Sequence, residues 1–144
     1  MLNAQAILRQ KGRVIYSVSP DATVLEALRE MAARNCGALL VLEASRPVGI
    51  ISERDYARKV ILMGRGSSTT RVREIMSPNI IDVAVHVGLD RCMELMTEYR
   101  IRHLLVVNGD ELAGMISIGD VVKALMQEQQ STIEHLTQYI SGGA

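Results

Sequence analysis

At 144 residues the chain is the size of one ordinary domain, and each half, at about 70 residues, is near the lower limit for an independent core. A hydrophobic share of 48% with a formal net charge of zero describes a well-buried globule without the basic surplus that drives binding to phosphate backbones, so nucleic acid is not an expected partner. No apolar run approaches the ~20 residues needed to span a bilayer, and the opening residues MLNAQAILRQKG lack a signal-peptide core, so the expected location is cytoplasmic with no membrane partner.

Residues 1–62 read as a first repeat that includes an N-terminal helix. Val14 to Val18 is a short strand, followed by a turn at Ser19-Pro20-Asp21. Thr23-Val24-Leu25-Glu26 is a capping box, and Val24, Ala27, Leu28, Met31 and Ala32 then recur at the spacing of one buried helical face. Gly37 is the expected left-handed cap of that helix. Ala38 to Leu42 and Val48 to Ser52 are strand-length apolar runs around a turn at Glu43 to Pro47, and a helix from about Ser52 should carry Tyr56, Val60 and Met63 inward. The unit is β-α-β-β-α.

Residues 63–70, MGRGSSTT, have the composition of a linker. Residues 71–130 read as a second repeat: a strand over Ile80 to Val85, a helix with Leu89, Cys92, Met93 and Met96 on one face, and a hairpin at Asn108-Gly109. The last helix runs from about Gly119 to Gln130, and residues 131–144 form a separate tail with Ile133, Leu136 and Ile140 at helical spacing. Cys36 and Cys92 lie in apolar helical patterns with no CxxC partner, which favours small buried hydrophobes over a disulfide or a zinc site.

A shift of 65 positions lays Ile15 to Val60 over Ile80 to Leu125 without a gap. Most of the identical pairs are apolar, but Gly49, Ile51, Ser52 and Asp55 recur as Gly114, Ile116, Ser117 and Asp120, giving the string G-h-I-S-x-x-D twice. In a purely structural role S-x-x-D is a capping-box variant at a strand-to-helix junction. In a ligand-binding role the Ser hydroxyl turns to a phosphate and the carboxylate accepts from two adjacent hydroxyls, which together describe a ribonucleotide. Glycine at the far end of the strand would let a flat base approach the backbone.

These strings, with Val72-Arg73-Glu74-Ile75-Met76-Ser77-Pro78 and Tyr99-Arg100-Ile101-Arg102-His103-Leu104-Leu105-Val106, resemble a tandem pair of CBS (cystathionine-β-synthase) domains over nearly the whole chain. Ser52-Glu53-Arg54-Asp55-Tyr56-Ala57-Arg58-Lys59-Val60 and Thr132-Ile133-Glu134-His135-Leu136 resemble the small stand-alone bacterial members. The resemblance implies an α/β (α+β) module of two repeats packed as a pseudo-two-fold pair, the Bateman type. It also implies clefts between the repeats for AMP, ADP, ATP, S-adenosylmethionine or NAD(H), and a homodimer that signals to a downstream protein the sequence does not name.

Carried onto this chain, Asp55 and Asp120 hold ribose hydroxyls, and Ser52 and Ser117 meet the ribose or first phosphate. Ile15 with Tyr16, and Ile80 with Ile81, flank adenine, although apolar strand residues also serve simply as core. Basic residues serve the phosphates unequally: Arg54, with Arg58 and Lys59, in one repeat, against Arg102, His103, Lys123 and the helix start at Gly119 in the other. The alternative for Arg102 is a solvated charge, and for His103 an imidazole at the core edge.

Function therefore divides into a non-catalytic adenine-nucleotide sensor and an interaction scaffold in which both S-x-x-D strings are only caps. An enzyme is disfavoured, because no nucleophile stands in a recognisable turn and His86, His103, His135 and the cysteines have no metal-ligand spacing.

Overall fold

The computed structural model describes residues 2–142, which fall into two compact units: residues 14–81, and residues 2–13 together with 82–142. Both have the mixed α and β character expected, each with a three-stranded sheet.

In the first unit the chain passes from β1 (Ser17–Val18) through α2 (Val24–Arg34) to β2 (Ala38–Glu43) and β3 (Arg46–Ser52), the N-terminal helix α1 (Ala4–Lys11) belonging to the other unit. The strands lie in the order β1-β2-β3, β1 parallel to β2 and β2 antiparallel to β3. Thr23 caps α2 as the sequence predicts: its side chain accepts from Glu26 N–H while Glu26 accepts from Thr23 N–H. Val24, Ala27 and Met31 of α2 are buried against Leu39, Val41 and Ile51 of the sheet, while Leu28 is half-buried and Ala32 exposed.

Two local expectations change. The left-handed residue that ends α2 is Asn35 (φ 52, ψ 48), not Gly37. The helix stops at Arg34, so the next residue must turn, and asparagine tolerates that region better than most. The hairpin turn is also tighter than Glu43 to Pro47: only Ala44 and Ser45 lie between the strands, both at positive φ, as a two-residue turn of the primed type requires.

Helix α3 (Glu53–Tyr56) follows β3 directly and continues as a π-helical turn over Ala57–Ile61. The wider turn changes the angular phase of the side chains, so Val60 is buried and Tyr56 half-buried, but Met63 is exposed. The Gly/Ser/Thr-rich segment that follows is built into the unit. Thr70 O and Ser67 O accept from the open amides of Val24 and Leu25 at 2.8 and 3.0 Å, and the buried Thr70 hydroxyl donates to Gly66 O. Helix α4 (Val72–Ile75) adds Val72 and Ile75 to the same core, and Ser77 exchanges two 2.9 Å backbone hydrogen bonds with Ile50.

The second unit repeats the plan with β4 (Asp82–Ala84), α5 (Leu89–Tyr99), β5 (His103–Asn108) and β6 (Glu111–Ser117), in the order β4-β5-β6. Its hairpin turns at Gly109 (φ 64) and Asp110, at the Asn-Gly signal. Helix α1 takes the place that α4 has in the first unit. Ala4 and Gln5 donate to Val87 O and Val85 O, and Ala4, Ile7 and Leu8 are buried. The final helix α6 is continuous over Ile118–Gly142, so the expected break at Gln127 to Ser131 does not occur.

Candidate functional site

Each S-x-x-D string sits at the corner where the last strand of a unit becomes a helix. Ser52 is extended (φ −129, ψ 164), and its hydroxyl accepts from Asp55 N–H at 3.2 Å. In return Asp55 Oδ2 accepts from Ser52 N–H at 2.9 Å and from the Ser52 hydroxyl at 3.1 Å. Lys59, one turn further on, places Nζ 3.1 Å from Asp55 Oδ1 and donates to Ile75 O at 2.9 Å. Glu53 N–H donates to Gly37 O, which ties the corner to the start of β2.

The second corner follows the same plan with a different cation. Ser117 N–H donates to Asp120 Oδ2 at 2.8 Å, Asp120 N–H donates to Ser117 Oγ at 3.1 Å, and Ile118 N–H donates to Arg102 O. Lys11, from the end of α1, donates to the same Asp120 Oδ2 at 2.7 Å and to Met115 O at 3.1 Å. Burial pushes the Asp120 carboxyl up, but the Lys11 ammonium and the Ser117 N–H outweigh it and hold the group below its ordinary value. Asp120 is thereby kept as an ionised acceptor.

The remaining predicted residues surround these corners at different depths. Ile15 and Tyr16 are half-buried just before β1, and the Tyr16 ring lies 5.0 Å from the Arg34 guanidinium and packs on the core. Ile80 and Ile81 are half-buried just before β4. Arg54 is exposed in the first turn of α3. Arg102 is exposed, and His103 is half-buried opposite Ser117 in the β5–β6 register. Gly119 is exposed in the first turn of α6, where an added Cβ would meet only Ser117 Oγ, at 3.6 Å.

The two glycines of the motif serve a different neighbour from the expected base. A Cβ at Gly49 would lie 2.8 Å from Ser77 O and from Met76 Sδ, and one at Gly114 would lie 2.5 Å from Leu8 Cδ2. Both close approaches are filled by the protein's own chain: the Met76-Ser77 segment after α4, and Leu8 of α1. The sequence offers Lys59 as a cation for the phosphates, whereas the structure pairs it with Asp55, and it does not point to Lys11 at all. Lys59 is legible as an i,i+4 partner of Asp55, whereas no local signal links Lys11 to a carboxylate 109 residues away.

A cavity of about 70 Å³ beside Asp120 is lined by Ile7, Gln10, Lys11, Asp120, Lys123 and Ala124. A wider groove of about 670 Å³ along α1 and α6 contains none of the predicted site residues. Among the described residues no group of three His, Cys, Asp or Glu side chains is placed to hold a metal ion. Burial also pushes the Cys92 thiol up, away from thiolate chemistry. Chemically, each corner offers a carboxylate, a hydroxyl and a lysine ammonium: the donors and acceptors of a polar ligand.

The CBS domain family model matches residues 12–61 and 72–127. The chain is a tandem CBS-domain protein. This CBS pair is 43% identical over 128 residues to the mitochondrial CBS domain-containing protein CBSX3 of Arabidopsis thaliana, covering 85% of this chain and 62% of that protein's length. Its fold matches a CBS-domain protein from Burkholderia ambifaria MC40-6 with a TM-score of 0.85 and 45% identity, over 89% of this chain and 96% of the other. A CBS domain protein from Pyrobaculum aerophilum, solved in complex with AMP, matches with a TM-score of 0.71 and 28% identity, over 83% of this chain and 89% of the other.

Proposed function

We propose that this CBS pair is a non-catalytic sensor of adenosine-containing ligands, with AMP, ADP, ATP and NAD(H) as the candidates and Asp55 and Asp120 as the ribose acceptors. The observation that carries this reading is the pair of carboxylates, each beside a serine and a lysine at a strand-to-helix corner. The AMP complex of the Pyrobaculum relative supports it. In the same proposal Ser52 and Ser117 meet the ribose or first phosphate, Ile15, Tyr16, Ile80 and Ile81 flank adenine, and Arg54, Arg102, His103 and Gly119 serve the phosphates. The ligand acts by differential affinity for two arrangements of the protein, which shifts their populations toward the arrangement a downstream protein recognises.

A cytoplasmic homodimer belongs to this reading. No helix among the described residues is long and apolar enough to cross a membrane. Met126, Ile133 and Ile140, with Leu136, form an exposed apolar row along α6, suited to a second copy of the chain. A monomeric mass by sedimentation at micromolar concentration would overturn the dimer.

The scaffold reading also has an observation in its favour, since both S-x-x-D strings complete their capping bonds without a ligand. Thermal melting with a ligand panel separates the two. A ligand at about a hundred times its dissociation constant stabilises the native state by ~2.7 kcal/mol, which for a domain of this size raises the melting temperature by roughly 5–10 °C. AMP, ADP, ATP or NAD(H) should produce that shift and GTP should not. Equal shifts with ATP and GTP would remove the adenine pocket, and no shift with any adenosine compound, after removal of copurified ligand, would leave the scaffold.

A further inference from the structure

The Asp120 corner carries a donor beside its acceptor, and from this we propose that Lys11 reads the ribose diol together with Asp120. This inference rests on the adenosine reading above and assigns the N-terminal helix a direct part in ligand selection. A carboxylate only accepts hydrogen bonds, whereas each ribose hydroxyl both donates and accepts. A diol is therefore recognised best where an acceptor and a donor stand side by side.

The geometry meets that need. The Lys11 ammonium has three protons; one goes to Asp120 Oδ2 at 2.7 Å and one to Met115 O at 3.1 Å, which leaves one to give. Asp120 Oδ2 is used twice, by Lys11 and by Ser117 N–H, while Oδ1 receives neither bond. These two side chains line a small pocket of about 70 Å³, so the free Lys11 proton and Asp120 face the same space. Lys11 is held there because Leu8, one turn earlier, is buried over Gly114, and because Gly12 (φ 95) ends the helix immediately afterwards.

The other corner has the same groups with the carboxylate oxygens used differently. Asp55 Oδ2 accepts twice from Ser52, and Oδ1 faces Lys59, whose ammonium also bonds Ile75 O. Asp55 Oδ1 therefore already carries an ammonium where Asp120 Oδ1 receives neither bond, so discrimination between the diol and its deoxy analogue should be sharper at the Asp120 corner.

Calorimetry on the full chain with AMP and 2′-deoxy-AMP tests this, with amide exchange at residues 117–120 reporting that the Asp120 corner is filled. Hydrogen bonds to charged groups of the usual strength predict that the wild type prefers AMP by at least about tenfold, and that Lys11→Met weakens AMP about tenfold while reducing the preference to less than about threefold. Lys11→Arg keeps charge and donors and should retain most of the preference. Lys11→Gln supplies the same comparison should the methionine variant fail to fold. An undiminished preference in Lys11→Met and Lys11→Gln would overturn the role of Lys11 alone, whereas absence of wild-type binding to AMP, ADP, ATP and NAD(H) alike would overturn the adenosine reading and this inference with it.

Discussion

Replacing Asp120 by alanine should lower AMP affinity at that corner at least tenfold while costing the fold little. The carboxylate has two functions that the substitution separates. As the reciprocal partner of Ser117 it closes a capping box at the start of α6, and loss of such a cap costs about 0.5–2 kcal/mol. As a ribose acceptor it supplies charge-assisted hydrogen bonds worth about 1.5–3 kcal/mol each, and every 1.4 kcal/mol is about tenfold in affinity. Asp120→Asn, which keeps an acceptor oxygen without the charge, should fall between. Asp55→Ala makes the same comparison at the other corner. Wild-type affinity in both alanine variants, with a lowered melting temperature, would reduce the two motifs to caps and favour the scaffold.

Acid gives a second signature of the same group. Lys11 and Ser117 hold the folded-state Asp120 below the ordinary carboxylate value, so the folded state keeps this group ionised to lower pH than the unfolded chain does. Its contribution to stability is complete above the unfolded value of about 3.9 and is lost as pH falls through the lowered folded value. The gap in melting temperature between wild type and Asp120→Ala should therefore be constant near neutrality and close below about pH 4. A gap that widens on acidification would contradict the ion pair.

The repeat was legible because it is written in both apolar period and length. Val24–Arg34 and Leu89–Tyr99, Ala38–Glu43 and His103–Asn108, and Arg46–Ser52 and Glu111–Ser117 all differ by the 65 positions that align the sequence with itself. Misreadings arose where one residue type answers to two physical causes. Polarity over Gln127 to Ser131 reports exposure, and since glutamine and glutamate are good helix formers with no Gly or Pro among them, α6 runs through. Glycine at Gly37 suggested a cap, but chain reversal occurs one residue beyond the helix, at Asn35 and again at Arg100 (φ 54), a position arginine does not advertise.

The site was legible only in part for a similar reason. Ser52, Asp55, Ser117 and Asp120 are spaced locally, and local spacing fixes their hydrogen bonds. Lys11 reaches Asp120 because α1 packs beside β6, and that packing depends on Leu8 fitting over a residue without a side chain. Such a contact is a property of the assembled unit, not of any sequence window.

Gly49→Ala should lower the melting temperature by roughly 3–10 °C, the equivalent of about 1–3 kcal/mol of overpacking in a domain of this size. Gly49 is buried and its backbone is outside the left-handed region, so the substitution adds a methyl group without imposing backbone strain. Elsewhere such a change would stabilise by about 0.4–1 kcal/mol through the unfolded chain. Here the added Cβ would stand 2.8 Å from Met76 Sδ and 2.8 Å from Ser77 O. The methionine can swing aside. The carbonyl belongs to the backbone beside Ser77 N–H and Ile50, whose two 2.9 Å hydrogen bonds hold residues 76 and 77 against β3, so relief requires that pairing to open. Gly114→Ala is met first by the buried Leu8 side chain and no backbone carbonyl is among its nearest atoms, so it should disturb the seat of α1 and not a backbone pairing. Thermal melting of the two variants beside wild type decides the matter: a Gly49→Ala protein that melts at or above the wild-type temperature would show that the Met76-Ser77 segment yields freely, and that its pairing with Ile50 contributes little to the first unit.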